Sequence, residues 1–137
     1  MSAEVFLDTN VLLYAATAAA SEAAKQDRAY KLIAEDNFGI STQVLQEFYY
    51  NATVKARHKM LPEKALEFLA EMDHRPCAVV DGAVFHRAIQ ISIRYKITYW
   101  DGAILAAAEA LGAAIVFSED LSHGQSYGAI TVVNPFK

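Results

Sequence analysis

Four carboxylates stand next to apolar runs of the sequence, where an idle acid is uncommon. Asp8 and Asp120 follow strand-like runs, Asp101 heads an apolar helix, and Glu47 lies within another helix. Carboxylates that come close together repel one another and raise each other's pKa unless a divalent cation neutralises them. Because Mg²⁺ and Mn²⁺ prefer hard oxygen ligands, the four acids predict a metal site. Water activated by such a metal can attack a phosphodiester.

The helix that follows Asp101 is the most informative stretch. Its apolar residues stand three, four, seven and ten positions after the acid, at Ile104, Leu105, Ala108 and Leu111. This spacing places Asp101 at the head of the apolar stripe and predicts that its side chain faces inward. The alternative is that Asp101 merely caps or charges the first helical turn. The preceding Tyr99 and Trp100 could stack on a nucleobase, although packing is the more common use of such a pair.

Glu47 and Asp8 each leave two interpretations open. Glu47 lies about 60° around the helix axis from Val44, has no cation three or four residues away, and completes no capping box. It is either functional or a solvated residue at the edge of the apolar side. Asp8 ends the first strand, at the sheet edge where parallel α/β proteins bind ligands. Alternatively, Asp8 or Asn10 caps the next helix.

Short apolar strands alternate with amphipathic helices along the chain. Strands are expected at residues 3–7, 39–41, 77–80, 113–117 and 130–133. Helices are expected after Asn10, from Ser21 to about Asp36, from Thr42, from Pro62, from Gly82 to Tyr95, and from Tyr99. The helix from Pro62 is expected to bury the stripe Ala65, Leu66, Phe68, Leu69 and Met72. The alternation predicts one α/β domain, residues 1–137, with a largely parallel sheet.

Composition limits the possible classes of protein. The 137 residues are 54% hydrophobic, with a mean hydropathy of +0.15, which is enough for one compact core. A single cysteine, Cys77, excludes a disulfide framework and a cysteine zinc site. The net charge of −4 argues against a broad basic face for nucleic acid, but not against nucleic acid bound through a cation. The unpaired cysteine fits a reducing cytoplasm. The sequence shows neither a basic signal segment nor an apolar run of membrane length.

Other chemistries lack their motifs. The four histidines have no metalloprotease or deaminase spacing, the glycines form no phosphate loop, and no serine stands in a nucleophile elbow. A basic run closes the helix that carries Glu47, at Lys55, Arg57, His58 and Lys59. Such a run is typical of a solvated helix end, and contact with phosphate is the alternative.

The sequence resembles the PIN-domain nucleases, and most closely the VapC-type toxins of toxin–antitoxin pairs. The resemblance covers nearly the whole chain, through FLDTNVLLY, the helix bearing Glu47, YWDGAIL, VFSEDLSHGQ and the closing VNPF. It implies about five parallel strands in the order 3-2-1-4-5, with helices on both faces. It also implies a Mg²⁺- or Mn²⁺-dependent endoribonuclease that leaves a 5′ phosphate and a 3′ hydroxyl, with RNA as substrate, a small antitoxin as partner, and a homodimer.

The resemblance assigns roles to particular residues. The catalytic acids are Asp8, Glu47, Asp101 and Asp120, and the supporting polar residues are Asn10 and Ser118. The placement of these residues, in turn, predicts that Asp8 and Asp101 bind the metal directly or through water. Asp120 is expected to assist as a third ligand, and Glu47 is expected to position or deprotonate the attacking water. Glu119 is expected to be a bystander beside Asp120.

Three alternatives remain. A haloacid-dehalogenase-type phosphohydrolase also starts with an acid after the first strand, but it requires a second aspartate where this chain has Asn10. A response-regulator receiver would use the VVDG turn around Asp81, yet it requires paired acids after the first strand. The third alternative is a PIN fold retained only for binding, and the presence of all four acids speaks against it.

Overall fold

The computed structural model describes residues 1–35 and 37–137, so the expected helix end near Asp36 lies outside the described residues. The strands are β1 (Val5–Leu7), β2 (Phe38–Ser41), β3 (Cys77–Ala78), β4 (Ile115–Phe117), β5 (Ser126–Tyr127) and β6 (Ile130–Val133). The helices are α1 (Thr9–Thr17), α2 (Ala23–Glu35), α3 (Thr42–Tyr50), α4 (Pro62–Ala70), α5 (Gly82–Tyr95) and α6 (Tyr99–Ala110). A 3₁₀ turn (Ala20–Glu22) precedes α2, and α3 continues into a π-helical turn (Asn51–Lys55).

One mostly parallel sheet forms the centre of the molecule, with the strand order β3-β2-β1-β4-β6-β5. Five of its strands are parallel, and the expected fifth strand is β6, so the predicted order is confirmed. The sixth strand, β5, pairs antiparallel with β6 at the sheet edge. Its hairpin turns at Gly128, whose φ of 63° favours glycine. With only two residues, β5 has no hydrophobic pattern that could have predicted it.

Helix α6 is held close to α5 by a glycine. All residues from Gly102 to Ala108 are buried, and a Cβ atom on Gly102 would lie 2.6 Å from the carbonyl oxygen of Ala88. The missing side chain therefore lets the two helices approach each other, which fixes the first turn of α6 and the acid in it. The predicted apolar stripe of this helix is confirmed, because Ile104, Leu105, Ala108 and Leu111 are all buried.

Three local predictions are wrong. Ser21 caps no helix, because the chain turns at Ala19 and places Ser21 inside the 3₁₀ turn. The third strand stops at Ala78, since its last partner on β2 is Ser41 and α3 begins at the next residue. Leu66 is 59% exposed, because it lies about 100° around α4 from the buried Ala65.

Among the described residues, no helix is both long enough and apolar enough to cross a membrane.

Candidate active site

Asp8 occupies the junction between β1 and α1. Its Oδ1 accepts a hydrogen bond from the backbone N–H of Thr9 at 2.7 Å, so Asp8 caps α1 and Asn10 does not. Its Oδ2 accepts a second hydrogen bond from Oγ of Ser118, also at 2.7 Å. Because β1 and β4 are neighbours in the sheet, their carboxyl ends bring Asp8 and Ser118 together. The side chain is both a helix cap and part of a buried polar cluster.

The carboxylate of Asp8 lies in surroundings that disfavour its charge. Burial is the main cause that raises the pKa of Asp8 from its ordinary value of 3.8 to about 7. Hydrogen bonds from Ser118 and Thr9 oppose the rise, whereas the negative charges of Asp120 and Glu47 add to it. A cation beside Asp8 would reverse the balance, because an opposite charge favours the ionised form.

The turn after β4 is fixed to α1 by side chains of both elements. Oγ of Ser118 accepts a hydrogen bond from the backbone N–H of Asp120 at 3.1 Å. Asn10 accepts from the backbone N–H of Glu119 and donates from Nδ2 to Oδ2 of Asp120, both at 3.2 Å. Asn10 and Ser118 therefore set the position of Asp120 relative to Asp8.

Glu119 points into a different set of contacts from its neighbour. It accepts hydrogen bonds at 2.7 Å from Nζ of Lys25 and from the hydroxyl of Tyr14. Burial alone would raise the pKa of Glu119, but these two hydrogen bonds outweigh it and leave the pKa below its ordinary value. Glu119 therefore ties the turn to α1 and α2, and it does not line the pocket that contains Asp120.

Glu47 receives its hydrogen bond from another helix. Oγ1 of Thr9, in α1, donates to Oε1 of Glu47, in α3, at 3.1 Å. The sequence shows no partner along α3, and the structure supplies one that lies 38 positions away. Thr9 is buried and touches both Asp8 and Glu47, so it links these two acids. Sequence reasoning did not select Thr9 as a site residue.

Asp101 lies in the first turn of α6 and is not the helix cap. Thr98 has that role, since its Oγ1 accepts from the backbone N–H of Asp101 at 3.1 Å. The half-buried carboxylate of Asp101 has a raised pKa, because burial disfavours its charge and Asp120 repels it, while Thr98 acts in the opposite direction. The expectation that Asp101 faces inward holds only in part.

The aromatic pair before Asp101 divides into two environments. Tyr99 is half-buried and packs against the core, with its ring centroid 5.8 Å from that of Phe85. Trp100 is 64% exposed, so packing does not account for it. Its backbone carbonyl accepts a hydrogen bond from Nε2 of Gln43 at 3.2 Å.

One pocket collects the four acids. Its lining comprises Asp8, Thr9, Asn10, Leu13, Gln43, Glu47, Asn51, Trp100, Asp101, Ile104 and Asp120. We call it the acid pocket. Ser118 is buried behind it. No described residue of this lining is lysine, arginine or histidine, so the pocket has a strongly negative potential.

The donor set of the acid pocket fits a hard divalent cation. All of its charged side chains offer carboxylate oxygens, the ligands that Mg²⁺ and Mn²⁺ prefer. Among the described residues, no three acids, histidines or cysteines are close enough to enclose an ion by themselves. The predicted ligands Asp8, Asp101 and Asp120 therefore form no closed metal cage in the described structure, and an ion held there would need water to complete its shell.

Gln43 is a pocket residue that sequence reasoning missed. It is only 7% exposed, and its Oε1 is buried without a hydrogen-bond partner in the described structure. Because Nε2 donates to Trp100, the amide orientation is fixed. The available signal was its position four residues before Glu47, which places both side chains on one face of α3.

Other candidate residues lie outside the acid pocket. The basic run at Lys55, Arg57, His58 and Lys59 is exposed, as are the remaining histidines, His74, His86 and His123. Asp81 is exposed and caps α5, its Oδ1 accepting from the backbone N–H of Val84 at 3.0 Å. Because Asp81 does not line the pocket, the geometry gives no support to a receiver domain.

Comparison with known proteins agrees with this architecture. The PIN domain model matches residues 5–125. Mycobacterium tuberculosis VapC20, described as a sarcin-ricin loop cleaving toxin, is 18% identical, with 85% of this chain and 91% of that chain covered and a TM-score of 0.66. VapBC2 from Rickettsia felis, bound to a promoter DNA fragment, is 16% identical, with 93% and 96% covered and a TM-score of 0.64.

A third solved structure, FitAB bound to a DNA fragment, is 19% identical, with 97% of this chain and 96% of that chain covered and a TM-score of 0.65. At these identities the three structures show the fold alone. No curated protein matches the sequence.

Proposed function

Since the chain belongs to the PIN-domain family, we propose that it is a metal-dependent endoribonuclease and the toxin of a type II toxin–antitoxin pair. The observation that carries this proposal is the convergence of four acids from four separate segments on one pocket. Such a convergence is costly unless a cation offsets the repulsion. Residues 1–137 form a single nuclease domain in this proposal, acting in the cytoplasm.

The acids have different roles. Asp8 and Asp101 would hold the ion directly or through water, and Asp120 assists, as Asn10 fixes its side chain. Ser118 supports Asp8 through its hydroxyl hydrogen bond. A bound Mg²⁺ or Mn²⁺ would polarise water and offset the charge that develops on the phosphate.

Glu47 orients the attacking water and accepts its proton. The hydrogen bond from Thr9 holds one oxygen of the Glu47 carboxylate, and the second oxygen would face the water. In-line attack of this water on the phosphodiester would break the bond to the 3′ oxygen, which leaves with the bonding electrons and takes a proton from solvent. The products are a 5′ phosphate and a 3′ hydroxyl. No protein nucleophile is required.

A small antitoxin is the proposed partner. Two of the similar structures, VapBC2 and FitAB, are named as pairs and are bound to DNA. The negative potential of the acid pocket would attract a basic antitoxin side chain, which would block the ion and the substrate together. A homodimer of the toxin is part of the same proposal.

The test is RNA cleavage by purified, antitoxin-free protein. Structured and unstructured RNAs are incubated with Mg²⁺, with Mn²⁺ or with EDTA, and Asp101→Asn is compared with Asp27→Asn, which removes an exposed acid of α2. We expect metal-dependent cleavage by the wild type and Asp27→Asn, and none by Asp101→Asn. No cleavage of any RNA, with no thermal shift from either metal, would favour a PIN fold that only binds.

A further inference from the structure

Trp100 is a large apolar side chain left in water beside the acid pocket. It is the single tryptophan of the chain and is 64% exposed, although it belongs to the first turn of an otherwise buried helix. An exposed indole contributes little to folding, because most of its apolar area remains hydrated. Its position in the pocket lining therefore suggests that a ligand covers it.

The backbone that carries this indole is firmly held. Nε2 of the buried Gln43 donates to the Trp100 carbonyl at 3.2 Å, and Thr98 caps the same helical turn. The Tyr99 ring meets the indole edge-on, with centroids 5.1 Å apart. A side chain that is exposed on a fixed backbone is suited to ligand binding, since little conformational freedom is lost when the ligand arrives.

The charge of the acid pocket sets a requirement for substrate binding. Four acids and no cation stand in its described lining, so the phosphates of RNA meet repulsion there before metal is counted. A contact that does not depend on charge would add to the attraction that a bound cation supplies. A nucleobase stacked on an aromatic ring provides such a contact.

We propose that Trp100 is a stacking surface for a nucleobase adjacent to the scissile phosphate, with Gln43 as its positioning residue. A base can stack on a protein ring only after it leaves its own helix, so this contact requires an unpaired base. The inference rests on the proposed endoribonuclease function and adds the side chain that holds a base beside the cleavage point.

Fluorescence tests the contact directly, because all tryptophan emission comes from Trp100. Asp101→Asn protein in Mg²⁺ is titrated with a 5′-labelled single-stranded RNA, its blunt duplex, and the same strand with abasic sites. Anisotropy of the label reports binding independently of the tryptophan. We expect the single strand to bind and to quench the emission, and the duplex and abasic strands to bind more weakly without quenching. Binding of the single strand with unchanged emission would overturn the proposal.

Kinetics separate this inference from the proposed function. In protein that cleaves RNA, Trp100→Leu should raise KM for the single strand about tenfold with a smaller change in kcat, and Trp100→Phe should restore most of the loss. The matched control is Tyr30→Leu, which removes an aromatic ring of α2 that is 51% exposed and outside the pocket. Cleavage that is indifferent to Trp100→Leu refutes the stacking contact alone, whereas absence of both cleavage and RNA binding refutes the nuclease function and the contact together.

Discussion

The acid pocket has two sides that differ in how their polar groups are satisfied. On the sheet side, hydrogen bonds of 2.7 to 3.2 Å between β1, α1 and the turn after β4 join Asp8, Ser118, Asn10 and Asp120. On the α6 side, Asp101 is half-buried, Trp100 is exposed, and Oε1 of Gln43 has no partner in the described structure. The sheet side is therefore preorganised, whereas the α6 side, which carries Asp101 and Trp100, is open to solvent.

The largest expected effect comes from removing an acid of the open side. Asp101→Asn should reduce cleavage by about 100- to 1000-fold, the range typical of losing one group that stabilises the transition state. The metal-free variant should be as stable as the wild type or slightly more so, because one repelled charge is lost. Cleavage assays and chemical denaturation in EDTA check both parts. Reduced stability with activity retained would make Asp101 a structural residue.

On the preorganised side, the expected effect is a change in the pH dependence of stability. The pKa of Asp8 is raised from 3.8 to about 7, so the folded chain holds this proton more tightly than the unfolded chain. The resulting stabilisation is complete below pH 3.8 and is lost as the pH rises through about 7. It amounts to about 4 kcal/mol of unfolding free energy in the absence of metal.

Asp8→Asn should remove this fall in stability. Denaturation of both proteins in EDTA at pH 5 and pH 8 measures this difference. The unfolding free energy of the variant should rise relative to that of the wild type as the pH increases. Asp27→Asn, in the exposed face of α2, serves as the control and should follow the wild type. If the unfolding free energies of the wild type and Asp8→Asn change in parallel with pH, the charge of Asp8 does not destabilise the folded protein.

A smaller effect is expected at Gln43, which supports the open side. Gln43→Leu removes the hydrogen bond to the Trp100 carbonyl, but it also removes a buried acceptor that lacks a partner. These two changes oppose each other, so we expect stability to change by about 1 kcal/mol or less. RNA affinity should fall about threefold if the amide positions Trp100. Unchanged RNA affinity, measured by anisotropy, would show that Gln43 does not position Trp100 for stacking.

The smallest effect is expected at Glu119, directly beside Asp120. Its partners Lys25 and Tyr14 are partly solvated, and ion pairs of this kind contribute little to stability. Glu119→Gln should leave cleavage within about twofold of the wild type. Initial rates on the same RNA, with Asp120→Asn in parallel, provide the measurement. A large loss in Glu119→Gln would show that the turn itself, and not only Asp120, positions the ion.

The local sequence pattern by itself predicts much of this fold and the placement of two of its acids. The alternation of apolar runs predicts five strands and six helices in the right order along the chain, because side-chain periodicity is a property of neighbouring residues. It also placed Asp8 and Asp120 after strands, and parallel strands bring their carboxyl ends to one edge. The resemblance to PIN nucleases rests on these same segments, and the family match confirms it.

Tertiary structure decided which partner each acid has. Ser118 meets Asp8 across 110 positions, Lys25 meets Glu119 across 94, and Thr9 meets Glu47 across 38. It also decided that Tyr99 packs while Trp100 remains exposed, although the two are adjacent in the chain. These contacts depend on how the helices lie against the sheet and against each other. No local pattern encodes that geometry, because each contact joins segments that only the folded chain brings together.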